Sequence, residues 1–339
     1  MNNKKIYLAL LATIVIVGLL LFRKSMGNGQ CSMIYNEGTI FGTLYHAKYL
    51  SDKDLKTEIE AELQKVDASL SMFNPQSTIS RINRSETDEA DEMLREVLQL
   101  SFVINEATDG AFDPTVAPLV NAWGFGFKSG HLPDSTQVDS LRALVGLSGI
   151  HLQKNQLTKD NPLSVLDFSA IAKGYGVDRA AQVLRGHGIQ HFMVEIGGEV
   201  VTEGLNDKGE PWRIGINKPD DDSTSTNTEL QDIIALSGKA IATSGNYRNY
   251  YISNGRKIAH TINPRTGYPA QQDILSSTVM APSCAEADAF ATAFMVLGLE
   301  QAKRVLERQP QLQAYFIYSD EQGGYQTWCT SGFSTLIVK

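Results

Sequence analysis

Helical and strand-like patterns follow one another in this chain without strict alternation, and this order constrains the fold more than any other feature. Residues 54–70 repeat apolar positions with the period of an amphipathic helix, and residues 91–107 predict a second helix that ends at Asp109-Gly110. A third helix is predicted over residues 178–185. Because regular strand–helix–strand units are missing, the order favours an α+β fold with mixed sheets and packed helices.

Short stretches of alternating character predict the strands. They cover residues 42–47, 192–196, 212–216, 240–243, 314–318 and 335–338. Residues 220–228 consist mostly of Asp, Ser, Thr and Asn, which is typical of a surface loop. Their position indicates an insertion in a hairpin rather than a domain boundary.

The N-terminus carries one unbroken apolar run, residues 6–22, with two lysines before it and Arg23-Lys24 after it. The run is near the lower length limit of a membrane-spanning helix and longer than the usual signal-peptide core. No Ala-x-Ala cleavage site follows, and Gln30 before Cys31 does not suit a lipid-attachment signal. An uncleaved membrane-anchor helix is therefore favoured over a removed signal, and residues 1–31 are treated as this anchor or signal segment with its linker.

Composition narrows what the soluble body, residues 32–339, can bind. It is long enough for one large domain or two closely packed lobes. The net charge of −8 and the lack of any dense basic run argue against nucleic acid as a partner. The three cysteines, Cys31, Cys284 and Cys329, form no CxxC pair, so neither a zinc site nor a disulfide framework is indicated. A bridge between Cys284 and Cys329 stays open.

The common nucleotide and hydrolase motifs are absent. Residues 124–130 have a glycine pattern similar to a dinucleotide fingerprint, but the spacing is wrong by one residue and no helical pattern follows. Residues 172–176 lack the spacing of a P-loop, and no Gly-x-Ser-x-Gly elbow occurs. The binding site must therefore be built in another way.

One candidate anion site lies in residues 166–174. A strand is expected to deliver Asp167, and the Ser- and Gly-containing turn after it leads into a helix near Tyr175. A helix N-terminus offers free amide donors and a partial positive charge, and Lys173 adds a full charge. The alternative is an ordinary helix cap with a solvated lysine.

Other polar turns have similar properties. Residues 243–245 can present successive amides to an anion, with Arg248 as counter-charge, and residues 265–267 repeat this composition. Gly197-Gly198 either allows a ligand close to the backbone or only forms a tight turn. His260 lies in the same polar region as residues 265–267 and is a candidate general base, because unperturbed histidine titrates near neutrality. A surface or core histidine is the alternative.

A carboxylate and a hydroxyl, those of Asp288 and Thr292, are spaced four residues apart in an alanine-rich run. On a helix they share one face. Hard oxygen donors of this kind suit Mg²⁺, which usually binds one or two carboxylates together with water and substrate phosphates. The alternative is a helix in which the acid complements the dipole and the threonine is packed.

Taken together, these segments resemble the FAD:protein FMN transferase family, also called the ApbE-like flavin transferases. The resemblance starts at residues 41–43, runs through the soluble body and implies an α+β fold of ApbE-like, T-fold-related architecture. The matching motifs occur in family order, at residues 71–75 with 80–83, 110–115 with 123–126, 167–174, 195–198, 242–245, 260–267 and 287–292.

The resemblance implies Mg²⁺-dependent transfer of FMN from FAD to a threonine hydroxyl of a target protein, with release of AMP. It implies that Asp288 and Thr292 bind the metal through side chains and Ala170 through its backbone carbonyl. His260 matches the residue that deprotonates the acceptor threonine, and Asp288 is counted with it as catalytic. The positions that match flavin-nucleotide contacts are Phe41, Phe73, Ala111, Phe112, Asp113, Asp167, Lys173 and Ile262.

The resemblance also implies an acceptor redox protein as partner and a place in the inner membrane, with the soluble body on the periplasmic or extracytoplasmic side. Two alternatives use the same site: an FAD pyrophosphatase that gives FMN and AMP, and a flavin-binding protein without turnover. The chain departs from the family at Phe41, which replaces a more frequent Met, and at Asn263, which replaces the usual Asp. Ala291 stands where some members carry a second acid, so a lower metal affinity is expected.

Overall fold

The computed structural model describes residues 31–126, 132–219, 229–246, 250–253, 256–271, 273–320 and 324–338. The anchor predicted at residues 6–22, the loop predicted at residues 220–228 and the counter-charge predicted at Arg248 lie outside these residues. Within the described ranges, no helix combines the length and the apolar character that crossing a membrane requires.

An eight-stranded sheet organises the body, and every neighbouring pair in it is antiparallel. Its order is β1–β2–β5–β6–β9–β12–β13–β14, and in the described residues three two-stranded sheets accompany it: β3–β4, β7–β8 and β10–β11. The strands are β1 (Ser32–Ile40), β2 (Thr43–Ser51), β3 (Ile150–Gln153), β4 (Gln156–Lys159), β5 (Phe192–Ile196), β6 (Glu199–Glu203), β7 (Trp212–Asn217), β8 (Leu230–Leu236), β9 (Lys239–Gly245), β10 (Tyr250–Ser253), β11 (Arg256–Ala259), β12 (Ile274–Ala281), β13 (Gln313–Ser319) and β14 (Tyr325–Cys329).

Helices complete the described part of the fold. They are α1 (Lys56–Leu70), α2 (Thr78–Asn83), α3 (Glu92–Ala107), α4 (Ala117–Ala122), α5 (Ser135–Arg142), α6 (Ala172–Gly186), α7 (Cys284–Leu297), α8 (Leu299–Arg308) and α9 (Ser331–Ser334), with short 3-10 turns at Pro114–Val116 and Leu147–Gly149. The α+β prediction is confirmed.

The large sheet separates two apolar layers, because successive strand residues point to opposite faces. Val201 and Ala240 pack with the helices on one face, whereas their neighbours Val200 and Ile241 pack with the β7–β8 hairpin on the other. The helical face holds α7, whose residues are almost all buried. This central position explains why a continuous alanine-rich sequence can form a helix there: small side chains let the helix approach the sheet and α6 closely.

Some local predictions were wrong. Residues 335–338 do not form a strand; they run beside β8 through two backbone hydrogen bonds, from Ala235 N to Leu336 O and from Val338 N to Ile233 O. No strand delivers Asp167 either. The preceding Leu166 is held in irregular backbone by the Asn83 side chain, which donates to its carbonyl and accepts from its amide at 2.8 and 2.9 Å. One side-chain amide thus replaces a neighbouring strand.

Cys284 and Cys329 are both free thiols, so the bridge left open above is not formed in the structure. Cys284 is fully buried at the start of α7, and its thiol donates to the carbonyls of Val200 and Ile241 at 3.7 Å. It is therefore part of the contact between helix and sheet.

Candidate functional site

A cavity of about 450 Å³ opens where α6, α7, the β5–β6 turn and the loop after β11 meet. Ten of the twelve predicted site residues line it: Ala111, Phe112, Asp113, Asp167, Ala170, Lys173, His260, Ile262, Asp288 and Thr292. The structure therefore brings together residues that are as far apart in sequence as 111 and 292.

The other two predicted residues, Phe41 and Phe73, line a neighbouring cavity, also of about 450 Å³. Phe41 has a φ of 51° and forms the two-residue turn of the β1–β2 hairpin with Gly42. Both φ values are positive, 51° for Phe41 and 74° for Gly42, and a positive φ is unusual for phenylalanine. Ser169 and Lys173 line both cavities, so Lys173 stands at their junction.

The tight turn predicted as one alternative for Gly197-Gly198 is confirmed. The pair forms the two-residue turn between β5 and β6, with φ values of 62° and 106°, and it also lines the first cavity. The Glu195 carboxylate accepts a hydrogen bond from Gly198 N at 2.6 Å and pairs with His46 at the same distance. A carboxylate that does not line the cavity therefore holds the turn.

The acid and hydroxyl predicted to share a helix face do so on α7. Asp288 is 3% exposed, and its Oδ2 accepts a hydrogen bond from the backbone N–H of Gly174 at 3.0 Å. Thr292 Oγ1 lies 3.0 Å from Ser244 Oγ on β9. The Asp288 carboxylate and the Thr292 hydroxyl are both hard oxygen donors of the kind that Mg²⁺ binds, and Ala170, predicted to bind the metal through its carbonyl, also lines the cavity. Among the described residues, no group of three or more His, Cys, Asp or Glu side chains could hold a metal ion.

Lys173 is fixed by a residue that the sequence analysis missed. Its Nζ lies 2.6 Å from Oε2 of Glu199, a carboxylate that is 1% exposed and follows the Gly-Gly turn directly. Burial favours the neutral amine, but the negative charges of Asp288 and Glu199 outweigh it and raise the pKa of Lys173. Burial also raises the pKa of both carboxyl groups. The only sequence signal for Glu199 was an acid directly after the Gly197-Gly198 turn.

His260 lies in a loop that contacts residues of the earlier Trp-Gly-Phe motif. The Phe125 ring meets the His260 ring edge-on, with 6.3 Å between centroids, and Trp123 Nε1 donates to the Gly267 carbonyl at 2.8 Å. Asn263 Oδ1 accepts hydrogen bonds from the amides of Arg265 and Thr266 at 2.9 and 3.3 Å. A neutral amide oxygen therefore holds this turn.

Asp113 and Asp167 line the cavity, but hydrogen bonds within the protein already engage their carboxylates. Asp113 accepts from Thr115 N at 2.8 Å and Thr115 Oγ1 at 2.5 Å, and its other oxygen accepts from Leu147 N at 3.1 Å. Asp167 accepts from the amide and hydroxyl of Ser169. Burial raises the pKa of both groups. Both acids therefore shape the wall of the cavity as well as facing it.

A second residue missed from sequence, Asp178, caps α7 from α6. Its two carboxylate oxygens accept hydrogen bonds from the amides of Cys284 and Ala285, each at 2.9 Å. These amides have no partner within their own helix, so the carboxylate satisfies groups that would otherwise be left unpaired. The helix that carries Asp288 is thereby tied to the helix that carries Lys173.

Asp178 should make stability depend on pH. Burial raises its pKa from 3.8 to about 6, so the folded state holds a proton between these pH values that the unfolded state has released. The contribution of protonated Asp178 to the free energy of unfolding is complete below about pH 4 and is lost as the pH rises to about 6. We expect the free energy of unfolding of the wild type, relative to Asp178→Asn, to decrease over this interval. Urea unfolding at several pH values measures it, and an increase would mean that the capping bonds outweigh burial.

The chain is similar to known proteins over nearly all of the described body. The sequence pattern of the ApbE family matches residues 41–316. An FAD:protein FMN transferase of Vibrio cholerae serotype O1 is 37% identical over 317 residues, which cover 90% of this chain and 93% of that relative. One of Haemophilus influenzae is 38% identical over 324 residues, which cover 91% and 92%.

Solved structures agree with these sequence matches. The flavin transferase ApbE from Vibrio cholerae superposes with a TM-score of 0.81 at 35% identity, over 90% of this chain and 99% of that one. The apo form of the Pseudomonas stutzeri flavinyl transferase ApbE gives 0.80 at 33% identity, over 91% and 97%. The mixed α+β architecture is thus shared along with the sequence, and the chain belongs to the ApbE family.

Proposed function

We propose that this protein transfers FMN from FAD to a threonine hydroxyl of a target protein and releases AMP. The observation that carries the proposal is the junction at Lys173, where two cavities lined by the predicted flavin-nucleotide residues meet. A dinucleotide has two bulky halves joined by a diphosphate, and two neighbouring cavities with a cation between them suit that shape. The relatives named above supply independent support.

In the proposed reaction, the threonine oxygen attacks the phosphorus on the FMN side of the diphosphate. A phosphoester bond forms, the bond from this phosphorus to the bridging oxygen breaks, and AMP leaves with that oxygen. His260 takes the proton of the threonine hydroxyl, which is unreactive at neutral pH without a base. Lys173 neutralises charge that develops on the leaving phosphate, because transfer of this type depends mainly on positioning and charge stabilisation.

Asp288, Thr292 and the Ala170 carbonyl are proposed to hold Mg²⁺, which when bound would supply further neutralisation of the diphosphate. A single carboxylate among these ligands fits a metal that keeps water and phosphate in its shell. Ala291, next to the site in sequence, offers no second acid. A magnesium titration of activity should therefore give a lower affinity than in family members with that acid.

The apolar run at residues 6–22 supports a further proposal, that the protein is anchored in the inner membrane. The soluble body, residues 32–339, would then work on the periplasmic or extracytoplasmic side on an exported redox protein. Alkylation of Cys31 by a reagent that does not cross membranes, in intact cells, tests this orientation.

The transfer itself is tested by incubating the full-length protein with FAD, Mg²⁺ and an acceptor domain that carries an exposed threonine motif. Flavin fluorescence that stays with the acceptor after acid precipitation, and is lost when Mg²⁺ is omitted, is the expected result. Free FMN and AMP with an unmodified acceptor would indicate the pyrophosphatase instead. Intact FAD under all conditions would indicate a binding protein without turnover.

Replacement of His260 by alanine should separate binding from transfer. We expect acceptor flavinylation to fall about 10²- to 10⁴-fold, the usual contribution of a general base, while the Kd for FAD changes little. The two quantities are measured by acceptor fluorescence and by FAD titration. An equal loss in both would mean that His260 binds the nucleotide rather than moving the proton.

A further inference from the structure

Glu199 presents a buried charge that the proposed mechanism does not yet use. It is 1% exposed and begins β6 immediately after the Gly197-Gly198 turn. Burying a carboxylate is costly unless a partner compensates it, and Lys173 Nζ is that partner at 2.6 Å. Burial by itself therefore does not explain why this position carries an acid.

The two partners differ in what they face. The Lys173 side chain is 32% exposed and lines both cavities, whereas the Glu199 side chain is 1% exposed and lines only the first. The Lys173 ammonium can therefore contact a ligand at the junction while the buried Glu199 carboxylate holds the ammonium in place. A lysine has a flexible four-carbon stem, so its charge is poorly located in space without such a partner.

The strand end that carries Glu199 is itself held in place. Glu199 pairs with Ile196 across the two-residue turn, and the Glu195 carboxylate accepts the Gly198 amide at 2.6 Å. Lys173, in turn, lies in the first turn of α6, one residue before Gly174, whose amide bonds Asp288. Both ends of the ion pair are thus fixed to regular secondary structure, which is the arrangement that a precise site needs.

We propose that Glu199 is a positioning residue that holds the Lys173 ammonium at the junction of the two cavities, at the point where the diphosphate of FAD is cleaved. The inference rests on the proposed FMN transfer. Glu199 neither contacts the substrate nor exchanges a proton in the reaction. It acts through Lys173, by keeping the positive charge where negative charge develops on the leaving phosphate.

The test replaces Glu199 by glutamine, which has nearly the same shape and no charge. We expect kcat for AMP release and acceptor flavinylation to fall about 10- to 100-fold, the range found when the outer partner that orients a metal ligand is removed. The Kd for FAD, measured by titration, should change less than about threefold, because the ammonium is still present to bind the diphosphate. Glu203→Gln is the matched control, since Glu203 lies on the same strand and pairs with Arg185 at 3.1 Å outside both cavities.

A double-mutant cycle decides whether Glu199 acts through the lysine. In a Lys173→Met background, Glu199→Gln should cause no further loss of kcat. An undiminished kcat in the single Glu199→Gln variant, or the same fold-loss in both backgrounds, would overturn the inference. A joint loss of FAD binding and melting temperature in Glu199→Gln would show a purely structural ion pair and would also overturn it. An inactive wild type would instead count against the proposed function.

Discussion

Replacement of Asp288 by alanine is expected to abolish both FAD cleavage and acceptor flavinylation, by about 10³-fold or more. The residue supplies the one carboxylate of the proposed metal site, and the charge stabilisation that a metal gives in such reactions is worth several kcal/mol. Its Oδ2 also accepts the Gly174 amide inside the protein, so the carboxylate is held in place before any ligand binds. AMP release and acceptor fluorescence at saturating Mg²⁺ measure the two products of the reaction.

The protein should still fold after this change, because removing Asp288 leaves no unpaired charge on Lys173. Two acids, Asp288 and Glu199, act on one lysine, so removing Asp288 leaves Lys173 and Glu199 as a neutral pair. Asp288→Asn is the matched variant: it keeps the size of the side chain and an oxygen for the Gly174 amide, but it lacks the charge. Both variants should retain the circular dichroism of the wild type. Full Mg²⁺-dependent activity in either one would show that the metal assignment is wrong.

The elements that were predicted well from sequence are those whose ends are determined locally. The first two predicted helices are confirmed within two residues as Lys56–Leu70 and Glu92–Ala107. The second begins where the Asp91 side chain accepts the Leu94 amide, and Asp109-Gly110 follows its end with positive φ. Caps and left-handed residues of this kind are encoded within a few positions, so a single sequence reveals them.

Strands at the margins of the fold were harder to predict. β1, Ser32–Ile40, was missed because it is an edge strand whose residues are mostly exposed or half-buried, so it lacks a clear apolar alternation. Residues 335–338 show the opposite error: they are apolar enough for a strand but make only two backbone bonds to β8. In both cases the neighbouring strands decide the outcome, and those neighbours are distant in sequence.

Site residues that belong to contiguous motifs were predicted from the sequence. Residues whose role depends on a partner distant in sequence were not. Lys173 and Asp288 each belong to a recognisable segment. Glu199 and Asp178 gain their roles only through Lys173 Nζ and through the amides of Cys284 and Ala285. Asp178 and Cys284 are 106 positions apart. The Glu199–Lys173 pair follows from the packing of β6 against α6, and the Asp178 cap follows from the crossing of α6 and α7. No local pattern contains either contact.

In that crossing the two helices are in close contact at Gly174, so Gly174→Ala is expected to have the second large effect. A Cβ at this position would lie 2.2 Å from the Cys284 carbonyl oxygen and 2.9 Å from the Ala285 Cα. These are backbone atoms that cannot rotate away, so the two helices must separate. Overpacking of this kind costs about 1–3 kcal/mol, and the separation also draws the Gly174 amide away from Asp288.

The matched control lies in the same helix. At Gly186 an added Cβ would meet nothing within 4 Å, so Gly186→Ala should be neutral or stabilise the protein by up to about 1 kcal/mol. Gly174→Ala should instead lower the free energy of unfolding in urea and reduce kcat beyond what partial unfolding explains, because the Asp288 carboxylate loses its fixed donor. If the two variants were equally stable and equally active, the contact between α6 and α7 at Gly174 would not control the geometry of the site.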